Sequence, residues 1–222
     1  MLTYNTMEKF DMLNNVPNIR KNPLNYVFEN LQLKQKENTL WLEFGVGGGS
    51  TINYIASQTS GIVHGFDSFY GNPEKCREGF EAGHYNRDGA PPPVASNVVL
   101  VQGMFQHTLK DFLVSQNKKV SFIHFDCDLY SSTKFVLDSI KDYVDADCII
   151  VFDEFVNFLG FGEAEYQAFY EFTLENDLDY EIIGMNGSPK WIWGDNPNSS
   201  DGVPHEQMAI IIHYFHAPWS WD

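Results

Sequence analysis

The sequence predicts an α/β protein whose seven-stranded sheet is mostly parallel, carries helices on both faces and ends in an antiparallel strand. Three observations predict it. Short apolar runs alternate with stretches of helical period, the pattern of βαβ units. Glycines cluster where the first of those runs ends and a helix begins. The last two apolar runs, 180–185 and 208–214, have no helix between them and read as an antiparallel pair.

The elements follow in order. Residues 1–37 are polar, with a turn at Asn15-Val16-Pro17-Asn18 and with Leu24, Val27, Phe28 and Leu31 at helical spacing. They are expected to form an N-terminal helical cap, and 38–222 the main domain. Strands are expected at 40–44, 61–66, 98–101, 120–125 and 148–152. Helices are expected at 51–57, 105–114, 133–143 and 164–174. Runs this continuously apolar suit a parallel sheet buried on both faces. The strand–glycine–helix start makes the arrangement Rossmann-like. Two long loops interrupt it, 71–97 and 186–206, both rich in Gly, Asn and Pro. Loops of that length in a small domain are usually lids or binding loops.

The 222 residues suit one α/β domain of generous size. Hydrophobic residues at 43% and charged residues at 20% permit a packed core and argue against disorder. A net charge of −16 with no Lys/Arg cluster excludes a nucleic-acid binder, which needs a basic stripe to neutralise phosphates. Nor does an acidic chain gain anything at an anionic membrane surface. No apolar run approaches the roughly 20 residues of a membrane span. The first residues lack the basic and apolar regions of a signal peptide. Cys76, Cys127 and Cys148 are odd in number and show no CxxC spacing. A reduced, cytoplasmic protein is expected, with the N-terminal segment available for homodimer contacts.

The first chemical constellation is Glu43-Phe44-Gly45-Val46-Gly47-Gly48-Gly49-Ser50-Thr51. Glycines at such a turn let a ligand approach the backbone, and the following helix offers free N–H groups. About twenty residues on, the second strand ends in Gly65-Phe66-Asp67-Ser68, and an acid at that tip can accept hydrogen bonds from both ribose hydroxyls. The pair reads as a nucleoside-cofactor signature. The dinucleotide fingerprint needs Gly-x-Gly-x-x-Gly, but here that frame ends on Ser50. The actual pattern, Gly45, Gly47 and Gly49 with Glu43 two residues earlier, resembles motif I of class I S-adenosylmethionine-dependent methyltransferases. Gly103 and Phe105, after the third strand, are candidates for an adenine pocket.

The second constellation is Asp126-Cys127-Asp128 after the fourth strand, and the third is Asp153-Glu154 after the fifth. Tips of adjacent parallel strands face one crevice. Four carboxylates there would raise one another's pKa unless a cation sits among them, and oxygen ligands favour Mg²⁺, then Mn²⁺ or Ca²⁺. Asp128, one alternation beyond Asp126, can reach the same oxygen without ligating the ion.

Taken together, 43–51, 65–71, 124–133 and 151–155 resemble the macrocin O-methyltransferase (TylF-like) family over about 39–171. Members of that family methylate sugar hydroxyls with S-adenosylmethionine and Mg²⁺. The resemblance implies that Glu43, Gly45, Gly47, Gly49, Ser50, Thr51, Asp67, Ser68, Gly103, Phe105 and Asp126 meet the cofactor. It also implies that Asp126, Asp153 and Glu154 hold the metal and that Asp128 is the general base. A glycine–acid pair typical of the family matches Gly162-Glu163. Where the family often has Asp-Asp after the fifth strand, this chain has Asp-Glu.

The acceptor is expected to be a small hydroxylated molecule, a sugar or glycosylated metabolite. A nicotinamide-dependent oxidoreductase and a metal-dependent phosphoesterase are the alternatives. The first lacks the third glycine and leaves the carboxylates unexplained. The second leaves the glycine turn without a use. His124 reads as a core histidine, and Cys127 between two acids as a poor nucleophile. His84, Tyr85 and Arg87 in the first loop, and Trp191, Trp193 and His205 in the second, are either substrate contacts or ordinary loop residues.

Overall fold

A computed structural model describes residues 9–190 and 205–215. The strands are β1 (Thr39–Phe44), β2 (Val63–Asp67), β3 (Val98–Gln102), β4 (Lys119–Phe125), β5 (Val144–Phe152), β6 (Leu178–Gly184) and β7 (Met208–Phe215). They form one sheet in the order β3-β2-β1-β4-β5-β7-β6. β3, β2, β1, β4 and β5 are mutually parallel. β7 runs antiparallel to both β5 and β6, between which it is inserted.

The helices are α1 (Pro23–Glu29), α2 (Ser50–Ser57), α3 (Phe105–Gln116), α4 (Tyr130–Ile140) and α5 (Glu165–Glu175). Alternate residues of β1 divide the core into two layers. Trp41 packs with Leu24, Val27, Ile52 and Ile55 of α1 and α2. Leu42 and Phe44 pack with Leu109, Val136 and Phe169 of α3, α4 and α5. The N-terminal segment serves both layers, because Leu13 joins the second cluster while α1 covers the first. α1 starts where it does because Asn22 accepts the Asn25 N–H and Pro23 needs no partner for its nitrogen.

Two boundaries differ from expectation. The helix after β4 is α4, which ends at Ile140 before a 3-10 turn, Lys141–Tyr143. β5 starts at Val144 rather than at Cys148. Its first turn of sequence, with Asp145 and Asp147, is polar and hides the strand. Val144 nonetheless pairs with Val120, and a register shift carries the ladder on to Phe122 and Ile149. The 71–97 loop contains no helix, and its compactness comes from its own backbone bonds: Asn72 N–H to His84 O, Gly83 N–H to Asn72 O and Cys76 N–H to Phe80 O. No helix among the described residues is long and apolar enough to cross a membrane.

One layer of the core positions the site. Phe66, Phe44, Phe125 and Phe152 are register partners across β2, β1, β4 and β5. Their rings stack with centroids 4.9, 5.6 and 5.0 Å apart, and all four are fully buried. Offset stacks of this kind add roughly 0.5–1.5 kcal/mol per pair beyond burial. The residue after each ring is Asp67, Gly45, Asp126 and Asp153. Three of these bond back to the layer: Gly45 N–H to Phe66 O, Asp126 N–H to Phe44 O and Asp153 N–H to Phe125 O. Replacing Phe125 by Ala, in the middle of the stack, is expected to cost roughly 3–5 kcal/mol in urea unfolding. A cost below about 1 kcal/mol would show that the layer does not hold the tips.

Candidate active site

The turn after β1 can be built only from glycine at its first position. Gly45 has φ +90°, and a Cβ there would stand 1.8 Å from the Asp126 carbonyl oxygen. The turn therefore lies directly against the β4 tip. Gly49, at φ +84°, caps α2. Asp67 holds the same turn from the other side. Its Oδ2 accepts the N–H groups of Val46 (2.9 Å) and Gly47 (2.8 Å), and its Oδ1 accepts that of Phe69 (2.7 Å). The carboxylate is thus a brace of the loop: Oδ2 is filled by its two donors, and Oδ1 keeps a second lone pair for a ligand.

A cavity of about 300 Å³ opens over these tips. Gly45, Gly47, Ser50, Thr51, Asp67, Ser68, Gly103 and Phe105 line one part of it, and Asp126, Asp128, Asp153 and Glu154 another. Two expected contacts lie elsewhere. Gly49 is outside the lining. Glu43 is fully buried and meets His124 instead, Oε1 to Nδ1 at 3.0 Å. Its side chain leaves the pleat one position before the turn, so it points into the protein rather than into the cavity. His124 is the core histidine expected, with Glu43 as its partner. Burial pushes the Glu43 carboxyl up, against the pull of His124. Burial works against a charge on His124 too, but the bond to Glu43 and the nearby acids hold its pKa above the usual value.

The acids behave as expected of an uncompensated cluster. One carboxylate oxygen from each of Asp126, Asp128 and Glu154 lies within 4.8 Å of the others. Burial, then Asp153, Glu43 and Asp128, push Asp126 up to about 7, although His124 pulls the other way. Burial, then Asp128, Asp126, Asp153 and Glu165, push Glu154 well above the usual range, and its Oε2 is buried with no partner. An orphaned carboxylate oxygen inside a group of hard donors fits a divalent cation. Asp153 lines the same cavity, but its Oδ1 accepts from the Gln207 amide, so the tightest trio contains Asp128 in its place. Asp128 has φ +61°, and its Oδ2 accepts the Asn72 amide at 2.8 Å.

Several site residues carry no sequence signal of their own. Asn72, Met104, Gln106 and Ser132 line the cavity, as does Tyr85 from the first loop. Burial and the acids push the Tyr85 hydroxyl up to about 12. Glu165, the first residue of α5, is fully buried behind Cys127 and Thr133 and is pushed far up by burial and then by Asp128. It, rather than the exposed Glu163, is the α5 acid nearest the cluster. Burial first, and then Glu165, also push the Cys127 thiol well up, which keeps it inert. His84 and Arg87 do not line the cavity. Trp191 and Trp193 lie outside the described residues.

With this geometry in view, the comparisons decide the family. Residues 42–155, about half of the chain, match the family described as "Methyltransferase domain". The chain belongs to that family. The matched stretch runs from β1 to the β5 tip and so contains the glycine turn, Asp67 and the four carboxylates of the cluster. Comparison with curated protein sequences gives no match.

Solved structures of methyltransferases share the fold. The O-methyltransferase NovP superposes with a TM-score of 0.56 at 15% identity, covering 87% of this chain and 77% of its own. An O-methyltransferase from Bacillus cereus, in complex with SAH, gives 0.53 at 12% identity over 94% and 90%. CalS11, a calicheamicin methyltransferase, gives 0.50 at 20% identity over 86% and 91%. The protein is a methyltransferase with the Rossmann-like sheet of this class.

The raised Asp126 fixes a pH dependence. Between the usual carboxylate pKa near 4 and about 7, the folded metal-free protein keeps a proton that the unfolded chain has released. Stability from this group is therefore present at low pH and lost as pH rises through that window. The thermal midpoint of metal-free protein is expected to fall between about pH 5 and pH 8. Millimolar Mg²⁺ is expected to restore it at about pH 8 and to do little at about pH 5. In Asp126→Asn both dependences should flatten; an unchanged profile would contradict the assignment.

Proposed function

We propose that the protein is an S-adenosylmethionine-dependent O-methyltransferase that uses a hard divalent ion, Mg²⁺ first, and acts on a hydroxyl of a sugar or glycosylated small molecule. One observation carries it: the braced glycine turn and the four-carboxylate cluster open into a single cavity. A nucleoside site alone fits many enzymes, and a carboxylate site alone fits many hydrolases. Their union fits methyl transfer to a metal-held hydroxyl. The names of NovP and CalS11, and the SAH complex of the Bacillus cereus enzyme, support the same reading. So does the resemblance to the macrocin O-methyltransferases.

When bound, S-adenosylmethionine supplies an electrophilic methyl group, and a divalent ion lowers the pKa of a hydroxyl placed against it. The chain's residues do the rest. The Gly45–Gly47 turn gives the cofactor close access to backbone, and Asp67 Oδ1 has one lone pair left for a ribose hydroxyl. Phe105, packed edge-on against Phe44 at 5.4 Å, offers its other side to the adenine. Asp126, Asp153 and Glu154 would hold the ion. Asp128 takes the hydroxyl proton. The Asn72 amide occupies one of its oxygens and leaves the other to do so. Holding the oxygen in line with the methyl carbon accounts for much of the rate.

A nicotinamide enzyme has no use for the carboxylates. A phosphoesterase would need cations, and no lysine or arginine among the described residues lines the cavity.

Calorimetric titration with S-adenosylmethionine, S-adenosylhomocysteine and NAD⁺, with and without Mg²⁺, tests the assignment. The two adenosyl ligands should bind and NAD⁺ should not. Asp128→Asn should keep cofactor affinity within about twofold while methyl transfer falls roughly 10²–10⁴-fold, the range of a lost general base. Binding of NAD⁺ alone, or full activity in Asp128→Asn, would refute it.

A further inference from the structure

A second cavity, of about 500 Å³, opens beside the first. The chain brings its walls from distant places: Asn22 before α1, Arg77 in the first loop, Asn186 after β6, and His205, Glu206 and Gln207 before β7. Asp153 lines both cavities, so the second one meets the first at the carboxylate cluster. Its volume lies within the roughly 300–1,000 Å³ of small-molecule sites. Its lining is polar, with Pro23 the exception among the described residues.

The charge of this cavity is the informative feature. Arg77 is the only lysine or arginine among the described residues that line it, beside one histidine, His205, whose Nδ1 faces the Asn186 amide at 3.3 Å; the Arg77 charge is already committed. Its Nη1 donates to Glu206 Oε2 at 2.9 Å, with both side chains largely buried. The guanidinium also stands 4.7 Å from the ring centroids of Phe80 and Phe158. Glu206 is held independently, since its carbonyl accepts the N–H groups of Phe155 and Val156. Lys190 does not line the cavity. Asp153 adds a negative charge. A bound phosphate needs bidentate or clustered cations, and here it would meet one neutralised arginine, a single histidine and an acid. Hydroxyl groups, which donate and accept, suit the amides of Asn22, Asn186 and Gln207.

We propose that the second cavity receives the non-reacting part of the methyl acceptor, and that the Arg77–Glu206 pair restricts it to uncharged, hydroxyl-bearing groups by neutralising the cation that a phosphate would need. The acceptor is then a phosphate-free glycoside rather than a nucleotide-activated sugar. This rests on the methyltransferase assignment above. The pair also ties the first long loop to the segment before β7, so specificity and loop position are set by the same contact.

The test uses the full chain saturated with S-adenosylhomocysteine and Mg²⁺. If S-adenosylhomocysteine does not bind, the underlying assignment fails, and that is seen before any acceptor is added. Methyl glycosides of common hexoses and 6-deoxyhexoses are then titrated, each against the nucleoside-diphosphate form of the same sugar. The wild type should bind the glycoside at least about tenfold more tightly than its nucleotide partner. Glu206→Gln, which frees the guanidinium, should gain about tenfold or more for the nucleotide form, the scale of a charge-assisted hydrogen bond. Arg77→Gln should show no such gain. The wild-type comparison decides even where a variant does not fold. The proposal is overturned if the nucleotide sugars bind as well as the glycosides, if a folded Glu206→Gln gains nothing, or if no sugar of either kind binds.

Discussion

The stack of Phe66, Phe44, Phe125 and Phe152 is the constraint on which the rest depends. Four rings in register, one per strand, fix the relative height of β2, β1, β4 and β5. A strand slip of one residue would turn every ring out of the layer. It would also turn every tip residue away from the cavity. Since the next residues are Gly45, Asp67, Asp126 and Asp153, the packing of the core and the placement of the chemistry are one arrangement. The backbone bonds that continue the ladder past the rings carry the same register into the tips.

Above that layer the site is built under electrostatic strain. Burial and the neighbouring acids together make Asp126 and Glu154 harder to ionise. Such a cluster destabilises the metal-free protein at neutral pH and is relieved by a cation. Glu43 and His124 sit beneath it as a buried pair joined Oε1 to Nδ1, while Glu43 Oε2 and His124 Nε2 have no partner. The two cavities meet at Asp153, the place where the proposed reaction brings a cofactor methyl and an acceptor hydroxyl together. Gln207 holds Asp153 from the acceptor side while accepting from Asn22, so the start of α1 reaches the chemistry through two amides.

Much of this was legible in the sequence because it is local. Strand, glycine turn and helix occupy adjacent residues in 39–57, and each acid pair directly follows an apolar run. The parallel order, the adjacency of β4 and β5 and the antiparallel end all follow from such runs. What stayed hidden depends on distant partners. Asn72 reaches Asp128 across 56 residues, and Gln207 reaches Asp153 across 54, from loops with no periodic signal. Glu165 carries no signal of its own in the sequence, and only burial behind Cys127 sets it apart from Glu163. Glu43 was placed with the cofactor by its spacing, but side-chain direction along the strand decides the matter. The start of β5 was masked by Asp145 and Asp147, because a strand's first residues protrude into solvent.

The most direct measurement is a crystal structure of the full chain with S-adenosylhomocysteine and Mn²⁺, located by anomalous scattering. The account predicts the nucleoside between Asp67 and Phe105, and a single Mn²⁺ peak bound by Asp126, Asp153 and Glu154 within reach of Asp128. A nucleoside bound elsewhere, or Mn²⁺ absent from the carboxylate cluster with the nucleoside in place, would contradict it.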